Sequence, residues 1–191
     1  MTLTPPAMLA SAATDLDASH DLLDECVAGS PAAWRGLHQR YHRTALSVLR
    51  RMGVPNDQLE DACQDVFVDV FRYLPRFRRE ADFRTWLYRI CLGRARVARR
   101  RVKVWLLISQ TMGLNGAERL EQPLDEGQAS RQLARALERL TDAERVVFVL
   151  FELEGLSGQE IAEVIERPAA TVFRRLHDAR KRFTAALAEE F

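Results

Sequence analysis

The segment SGQEIAEVIERPAATVFRRLHDARKRF, residues 157–183, decides the fold of the carboxyl-terminal part of the chain. Ser157 and Glu160 have the spacing of a capping box, which predicts a short helix that ends near Arg167. Pro168 is tolerated in the first turn of a helix and therefore starts a second one, which we expect to reach about Glu190. Two helices joined by so tight a turn predict a helix-turn-helix.

A helical wheel of the second helix separates an apolar stripe from a polar face. The stripe consists of Val172, Leu176, Ala179 and Phe183. The opposite face carries Ala170, Thr171, Arg174, His177, Asp178 and Lys181. Small residues with Thr and Arg at the start of a helix, and basic residues later, suit entry into the major groove of DNA. The alternative interpretation is an ordinary helical hairpin with a charged surface.

The rest of the chain has the apolar spacing of helices, and no segment shows the period of a convincing β-strand. The expected helices span about 22–28, 31–52, 57–74, 83–103 and 142–154. Gly29 and Gly53 are expected to end the first two. Asn56 or Asp57 is expected to cap the third, and Thr141 forms a capping box with Glu144.

Turn-forming residues mark a division of the chain. Gly113, Gly116, Pro123 and Gly127 lie among polar residues, which indicates a flexible linker. We therefore expect an all-α fold of two small helical domains. The expected parts are a loose amino-terminal segment at 1–20, a domain at 21–108, the linker at 109–130 and a domain at 131–191.

The composition is that of a soluble globular protein. The 191 residues are 47% hydrophobic and 29% charged, which argues against a disordered chain. The longest apolar run, residues 104–108, is far shorter than the roughly 18 residues of a membrane span. The three cysteines are isolated, and no basic residue precedes the weakly apolar amino end. These features predict a cytoplasmic protein without a secretory leader.

Charge is segregated along the chain, although the formal net charge is only +1. Residues 72–103 contain twelve basic groups against Glu80 and Asp82, and residues 167–182 contain six against Asp178 alone. Two compact basic blocks in an otherwise acidic chain indicate two contacts with a polyanion. The alternative is that these runs are solvated surfaces.

The first basic block combines arginines with aromatic residues. One side of the helix that begins at Phe83 carries Trp86, Leu87, Ile90 and Val97, with Tyr88 at its edge. The other side and the preceding loop carry Arg76, Phe77, Arg78, Arg79, Arg89, Arg96, Arg99 and Arg100. Single-stranded nucleic acid needs this combination, because cations follow phosphates while rings stack on bases. Trp86 taken alone also fits a core position.

The helix expected after Asp57 carries an acidic stripe. Asp61, Asp65 and Asp69 recur every four residues on its expected exposed side, with Gln64 beside them. A solvated face and a face that docks on a basic partner both fit this pattern, whereas no histidine has the Glu-x-x-His spacing of a di-metal site. The sequence contains no nucleophile elbow, phosphate-binding loop or dinucleotide fingerprint, so we expect no catalytic residues, metal or cofactor.

Three segments of the chain have recognisable motifs: EDACQDVF at 60–67, FRTWLYRI at 83–90 and the stretch at 160–180. The first resembles the AEDxxQExF signature of bacterial RNA polymerase sigma factors, and the second matches a run of that family almost letter for letter. Residues 160–180 resemble the EIAE…TVxxRLxxAR pattern of their last domain. The two-domain layout is similar to the extracytoplasmic-function (ECF) group, and the resemblance covers about residues 21–103 and 130–186.

The resemblance implies a protein that binds core RNA polymerase and directs promoter recognition, DNA melting and transcription initiation. The residues that would dock on core polymerase are Asp61, Gln64, Asp65, Phe67 and Asp69. Those that would open the −10 element and bind it as a single strand are Arg76, Phe77, Arg78, Arg79, Trp86, Arg89, Arg96, Arg99 and Arg100. Those that would read the duplex −35 element are Ala170, Thr171, Arg174, Arg175, Asp178 and Lys181. The family also allows an anti-sigma factor as a further partner.

Two other classes of protein are alternatives to this interpretation. A stand-alone helix-turn-helix regulator that never joins polymerase needs neither the acidic stripe nor the arginine–aromatic loop. The ligand spacing argues against a helical metalloenzyme. The sequence departs from the family pattern at Gly93 and Val97, where Asn and Asp are usual, and at Glu166, where the turn glycine is usual.

Overall fold

The computed structural model describes residues 20–111 and 127–188, and within these ranges the chain is helical without a β-strand. The α-helices there are α1 (His20–Val27), α2 (Pro31–Arg51), α3 (Leu59–Tyr73), α4 (Phe83–Thr111), α5 (Gln128–Glu138), α6 (Asp142–Phe148), α7 (Gly158–Ile165) and α8 (Ala169–Ala188). The predicted all-α fold class is confirmed.

Helices α1–α4 pack together and are called here the amino-terminal module. Each of α2, α3 and α4 contacts the other two, and α1 lies against α2. Leu37, Val66 and Leu87 are fully buried where these helices meet. Tyr41 of α2 packs on Phe83 at the start of α4, with ring centroids 4.9 Å apart. This core fixes the directions of α3 and α4, whose outer faces carry candidate site residues.

Local sequence explains the ends of α1 and α2. Gly29 and Gly53 have φ of +87° and +80° just beyond these helices, a conformation that glycine adopts without steric cost. The Ser30 side chain caps α2 by accepting a hydrogen bond from the Ala33 amide, and Pro31 follows in the first turn. Both glycine stops are confirmed.

Two predictions for this module were wrong. Gln58, not Asn56 or Asp57, occupies the N-cap position of α3, and no side chain caps that helix. A 3-10 turn, Asn56–Gln58, leads into α3 instead. Helix α4 continues to Thr111, past the expected end near Lys103, because no glycine or proline interrupts it there. Its last residues therefore occupy the start of the expected linker.

Helices α5–α8 pack together and are called here the carboxyl-terminal module. Helices α5, α6 and α7 all pack on α8. Thr141 and Ser157 form the two predicted capping boxes, at the starts of α6 and α7. A π-helical turn, Val149–Leu153, follows α6, so the helix predicted to reach Gly155 changes pitch on the way. Helix α5 was not predicted, and it begins within the expected linker.

The two modules are in contact. Helix α4 packs against α7, and the buried side chains of both modules belong to one continuous apolar cluster. The loose segment expected at 1–20 lies outside the described residues apart from His20, as does the part of the expected linker at 112–126. The domain boundaries stay predictions.

Candidate nucleic-acid interface

Helices α7 and α8 form the predicted helix-turn-helix. The turn passes through Glu166, whose φ of +53° and ψ of +51° are left-handed. The Arg167 amide donates to the Ala162 carbonyl at 3.0 Å and so closes the end of α7. Phe173 of α8 lies against Gly158, where an added Cβ would be 2.5 Å from the ring. A larger residue at this position would therefore displace the half-exposed Phe173 ring.

Helix α8 has the buried stripe that the helical wheel predicts. Val172, Leu176 and Ala179 are buried. Phe183 is half-buried, and its ring lies 4.4 Å from the ring of Phe148 in α6. This packing fixes the rotation of α8 about its axis and therefore decides which residues it presents to solvent.

The opposite face of α8 is accessible for most of its length. Its exposed side chains are Ala170, Arg174, His177, Asp178 and Lys181. Thr171 and Arg175 are half-buried, and Arg175 lines a cavity against the amino-terminal module. The predicted DNA-contacting residues of α8 are therefore not all on one surface, because Arg175 points inward.

An aromatic cluster lies at the start of α4. The Trp86 ring lies 4.9 Å from the ring of Phe77 and 5.6 Å from that of Phe83. Phe83 is buried, whereas Phe77 and Trp86 are half-buried and can still offer ring surface to an unstacked base. Arg76 and Arg78, in the same loop, are exposed. The structure thus brings these predicted aromatic and basic residues together.

Arg79 is the exception in this loop. Its guanidinium pairs with Asp24 of α1, with an Nη1–Oδ2 distance of 3.3 Å. This hydrogen bond raises the pKa of Arg79 and lowers that of Asp24. Arg79 also has φ of +57°, which is uncommon for a residue with a Cβ. A contact between Arg79 and nucleic acid would therefore require an exposed ion pair to open.

The predicted arginines of α4 fall into two groups. Arg96 and Arg100 are exposed. Arg89 is also exposed, but its Nη2 donates to the Glu163 carbonyl at 2.8 Å, and half-buried Arg99 pairs with Asp142. In this arrangement of the modules, half of the predicted α4 arginines are engaged by protein.

The sequence misplaced two residues of α4. The buried face of this helix is centred on Leu87, Cys91 and Ala98. Val97 lies about 100° from that centre on a helical wheel and is 42% exposed. Tyr88, expected at the edge, is 1% exposed because the carboxyl-terminal module covers it.

The acidic stripe of α3 is partly engaged by α4. Arg94 donates to Asp69 through Nε at 2.6 Å and Nη2 at 2.5 Å, and to Asp65 through Nη1 at 3.3 Å. The side chain of Asp69 is only 15% exposed and that of Asp65 is 46% exposed, whereas Asp61 is exposed. The prediction of a solvent-facing stripe was wrong, because positions four apart rotate by about 40° per step on an α-helix. The stripe therefore turns from solvent towards α4.

Two apolar residues occupy the outward face of α3 instead. Val68 and Phe71 are 52% and 64% exposed, and the Phe71 ring lies 5.0 Å from the ring of Trp34 in α2. Sequence reasoning missed both, although large apolar residues four and seven positions after exposed Gln64 were a readable signal. Together with Gln64 and Asp61 they form what is called here the α3 docking face.

Phe67, the remaining predicted docking residue, points away from this face. It is half-buried, and its ring lies 4.4 Å from that of His38 in α2. Its contacts are those of a residue at the edge of the core. The contribution of Phe67 is therefore to position α3 on α2.

The described residues include no group of three or more His, Cys, Asp or Glu side chains that could hold a metal ion. The cysteines Cys26, Cys63 and Cys91 are buried thiols. Burial raises the pKa of Cys63 to about 12 and also raises that of Cys91. A protonated thiol is a poor nucleophile and ligand, so these cysteines act as core residues. No described helix is long and apolar enough to cross a membrane.

Two family models match the chain, one for each module. The model described as Sigma-70 region 2 matches residues 37–104, and that described as Sigma-70, region 4 matches residues 130–183. The first covers α3 and most of α2 and α4, and the second covers α6, α7 and most of α5 and α8.

Curated relatives match nearly end to end. RNA polymerase sigma factor NccH of Alcaligenes xylosoxydans xylosoxydans is 31% identical over 180 residues, which are 91% of this chain and 97% of the relative. The ECF RNA polymerase sigma-E factor of Escherichia coli is 32% identical over 171 residues, 84% of this chain and 89% of the relative. This chain is an ECF sigma factor. The resemblance seen in the three sequence motifs is thereby confirmed.

Solved structures share the fold of this sigma factor. The structure of CnrH in complex with the cytosolic domain of CnrY has a TM-score of 0.68 and 25% identity, covering 90% of this chain and 97% of that one. Sigma factor RpoE in complex with the anti-sigma factor NepR from Bartonella quintana has a TM-score of 0.67 and 16% identity, covering 81% and 96%. The second likeness supports the fold alone.

Proposed function

We propose that this sigma factor binds core RNA polymerase through the α3 docking face and uses both modules to contact promoter DNA. The loop before α4 and the exposed side of α4 open and hold the −10 element, and α8 reads the −35 element. The chain supplies binding energy and specificity rather than chemistry, and the polymerase supplies the catalytic groups. We place it in the cytoplasm, where promoter DNA and polymerase are found.

The accessible face of α8 is the observation that carries this proposal. Arg174 lies in the second turn, where a helix that enters the major groove by its amino end brings side chains to base edges. Lys181 lies seven residues later, about 10.5 Å along the helix axis, where the phosphate backbone is the expected contact. Both side chains are exposed on a helix whose rotation is fixed by its buried stripe.

The aromatic cluster supports single-strand binding at −10. Phe77 and Trp86 offer ring surface beside exposed Arg76 and Arg78. Rings stack on bases of any sequence, and cations follow the phosphates between them. Capture of unstacked bases by such a surface would offset the few kcal/mol that unstacking requires at each step.

The α3 docking face supports binding to polymerase. An exposed apolar centre at Val68 and Phe71 with acidic Asp61 at one end is typical of a protein interface. A regulator that binds DNA alone needs no such surface. CnrH, a relative 30% identical to this chain, has been solved with a second protein, CnrY, so an anti-sigma factor is a further proposed partner.

Run-off transcription with purified core polymerase tests the proposal. The wild type should direct initiation from a promoter selected with the holoenzyme, and Trp86→Ala should abolish the transcript on duplex template. A template with a pre-opened −10 bubble should restore transcription by Trp86→Ala, because the variant lacks melting rather than docking. Duplex binding without any transcript, on either template, would favour the stand-alone regulator.

A further inference from the structure

Phe173 is an exposed aromatic residue on the helix that we propose reads the −35 element. It is 54% exposed, whereas Val172 and Leu176 of the same helix are buried. Among the described residues of the carboxyl-terminal module, no other large apolar residue is exposed. Packing inside the module therefore accounts for only part of this ring, and the exposed part is available for a contact outside the module.

The ring is held in place at its far end. An added Cβ on Gly158, at the start of α7, would be 2.5 Å from Phe173 Cζ and 3.0 Å from Cε1. Gly158 itself is buried, so the tip of the ring is seated in the contact between α7 and α8. This seat restricts the two torsions of the side chain. The ring therefore presents its exposed part in a defined direction.

Phe173 lies between the buried stripe and the exposed face of α8. On a helical wheel it is about 100° from Val172 on one side and about 100° from Arg174 on the other. Ala170, about one turn earlier, and His177, about one turn later, are both exposed. Phe173 therefore flanks the surface that α8 presents to DNA, on the side of α7.

The chemistry of the ring selects its contact in a base-paired element. Phe173 and Arg174 lie in the first turns of α8, the part of a recognition helix that reaches base edges in the major groove. The thymine 5-methyl group is the apolar contact that base pairs offer there, and a phenylalanine side chain suits it. The ring has no hydrogen-bonding atom for a phosphate. Stacking, which suits rings at single strands, is not available where the bases are paired.

We propose that Phe173 is a specificity-determining residue of α8 whose ring contacts the 5-methyl group of one thymine in the −35 element, and that Gly158 is the positioning residue that seats this ring. The inference rests on the proposed function of α8. Since Phe173 and Arg174 point about 100° apart, we assign them to different base pairs. Phe173 then adds a preference for thymine beside the base pair that Arg174 reads.

Deoxyuridine tests this contact, because it differs from thymidine only by the absence of the 5-methyl group. Holoenzyme formed with the full chain first selects its −35 element from a random duplex library, and each thymine of that element is then replaced singly. In the wild type, one replacement should weaken binding about fourfold, as expected for the burial of a single methyl group. In Phe173→Ala, the duplexes with and without that methyl group should bind equally.

Two further variants separate the ring from its surroundings. Arg174→Ala is the matched control, because it changes the adjacent residue of the same surface. It should bind all duplexes more weakly but keep the fourfold difference between thymine and uracil. Gly158→Ala retains the ring but displaces it, so that difference should shrink or disappear. Circular dichroism checks that each variant is folded, and Phe173→Gln gives the same test if Phe173→Ala is not.

Three results would overturn parts of this inference. Equal affinity of the wild type for thymine and uracil at every position, or a selected element without thymine, would exclude the methyl contact. A difference that persists in Phe173→Ala would assign the contact to another side chain of α8, such as Thr171. The full difference in Gly158→Ala would show that the seat does not position the ring.

Failure of the proposed function has a separate signature. A holoenzyme without any preference at −35 would overturn both the reading of that element by α8 and the contact of Phe173. A base preference that changes in Arg174→Ala, but that is the same for thymine and uracil, would overturn the role of Phe173 alone.

Discussion

Arg94 of α4 donates two hydrogen bonds to the Asp69 carboxylate of α3, at 2.6 and 2.5 Å, across the contact between the two helices. These bonds raise the pKa of Arg94, and both side chains are mostly buried. A residue that the sequence pattern assigns to a partner surface therefore connects two helices of the same module. Asp61, at the start of the same stripe, remains available to a partner.

This difference predicts opposite outcomes for two alanine substitutions in one helix. Asp69→Ala should lower the free energy of unfolding by about 1–3 kcal/mol, because it leaves a largely buried guanidinium without its main acceptor. Asp61→Ala should change it by less than about 0.5 kcal/mol, as is usual at an exposed site. Urea unfolding of both variants measures this, and equal stabilities would show that the Arg94 bonds contribute nothing.

Val68 predicts where polymerase binds. Val68→Ser should weaken binding to core polymerase about tenfold, or about 1.4 kcal/mol, because it removes an apolar contact from the centre of the α3 docking face. Val27→Ser is the matched control, since Val27 is 48% exposed, against 52% for Val68, but lies on α1. Fluorescence titration with labelled core enzyme measures both. Equal affinities for the two variants would place the interface elsewhere.

What could be predicted from the sequence depended on the distance along the chain between interacting groups. Ser157 and Glu160, which cap α7, act within three residues of each other, and their spacing alone identifies the capping box. Gly53 likewise ends α2 through its own backbone. Asp69 and Arg94 are 25 residues apart, and no local pattern in either helix shows that they meet.

The surfaces were harder to predict than the helices for the same reason. Tyr88 lies 66 residues from Glu154, and its burial depends on how the modules pack. An amphipathic pattern locates a buried stripe, but it does not show which flank a second module covers. Trp86 illustrates the point, since the sequence allowed a core or a stacking role, and the structure leaves its ring half-buried beside Phe77.

Glu166 predicts a stabilising substitution. Its φ of +53° is the left-handed conformation in which a Cβ is crowded by the backbone, at a cost of roughly 1–2 kcal/mol. Glu166→Gly removes this cost, but glycine loses more conformational entropy on folding, which offsets part of the gain. The free energy of unfolding should therefore rise by about 1 kcal/mol. Glu166→Ala removes the same carboxylate but keeps the Cβ, so it should show no such gain in urea unfolding. Similar stabilities for the two variants would argue against backbone strain at this turn.

Cys63 predicts a loss of stability in alkali. Burial raises its pKa from 9.0 to about 12, so above about pH 9 the thiol ionises in the unfolded chain while it stays protonated in the native one. Its contribution to stability is complete below pH 9 and is lost as the pH rises to about 12. The free energy of unfolding should fall more steeply with pH in the wild type than in Cys63→Ala. The difference in slope should correspond to at most one proton released on unfolding. Parallel pH profiles of the two proteins would mean that burial does not keep the Cys63 thiol protonated in the native state.

The recognition helix gives the most specific prediction, because Arg174 and Lys181 share the exposed face of α8 but should contact different parts of DNA. A guanidinium near the helix start can pair with the O6 and N7 of a guanine, so Arg174→Ala should cost about 1–3 kcal/mol and relax preference at one base pair. Lys181 should contact phosphate, and its loss should weaken all sequences alike and reduce the salt slope by about one.

Asp178 lies between them on the same face, one turn after Arg174, and it can orient that guanidinium or accept from a cytosine amine. Asp178→Ala therefore distinguishes the two roles, since orientation predicts a loss at the base pair that Arg174 reads, and direct contact predicts a loss at a neighbouring one. Selection of −35 variants by holoenzymes carrying wild type, Arg174→Ala, Asp178→Ala or Lys181→Ala measures all of these at once. If Arg174→Ala keeps the wild-type base preference at every −35 position, the assignment of Arg174 to base readout is wrong, and Arg174 contributes to promoter binding only through phosphate contacts.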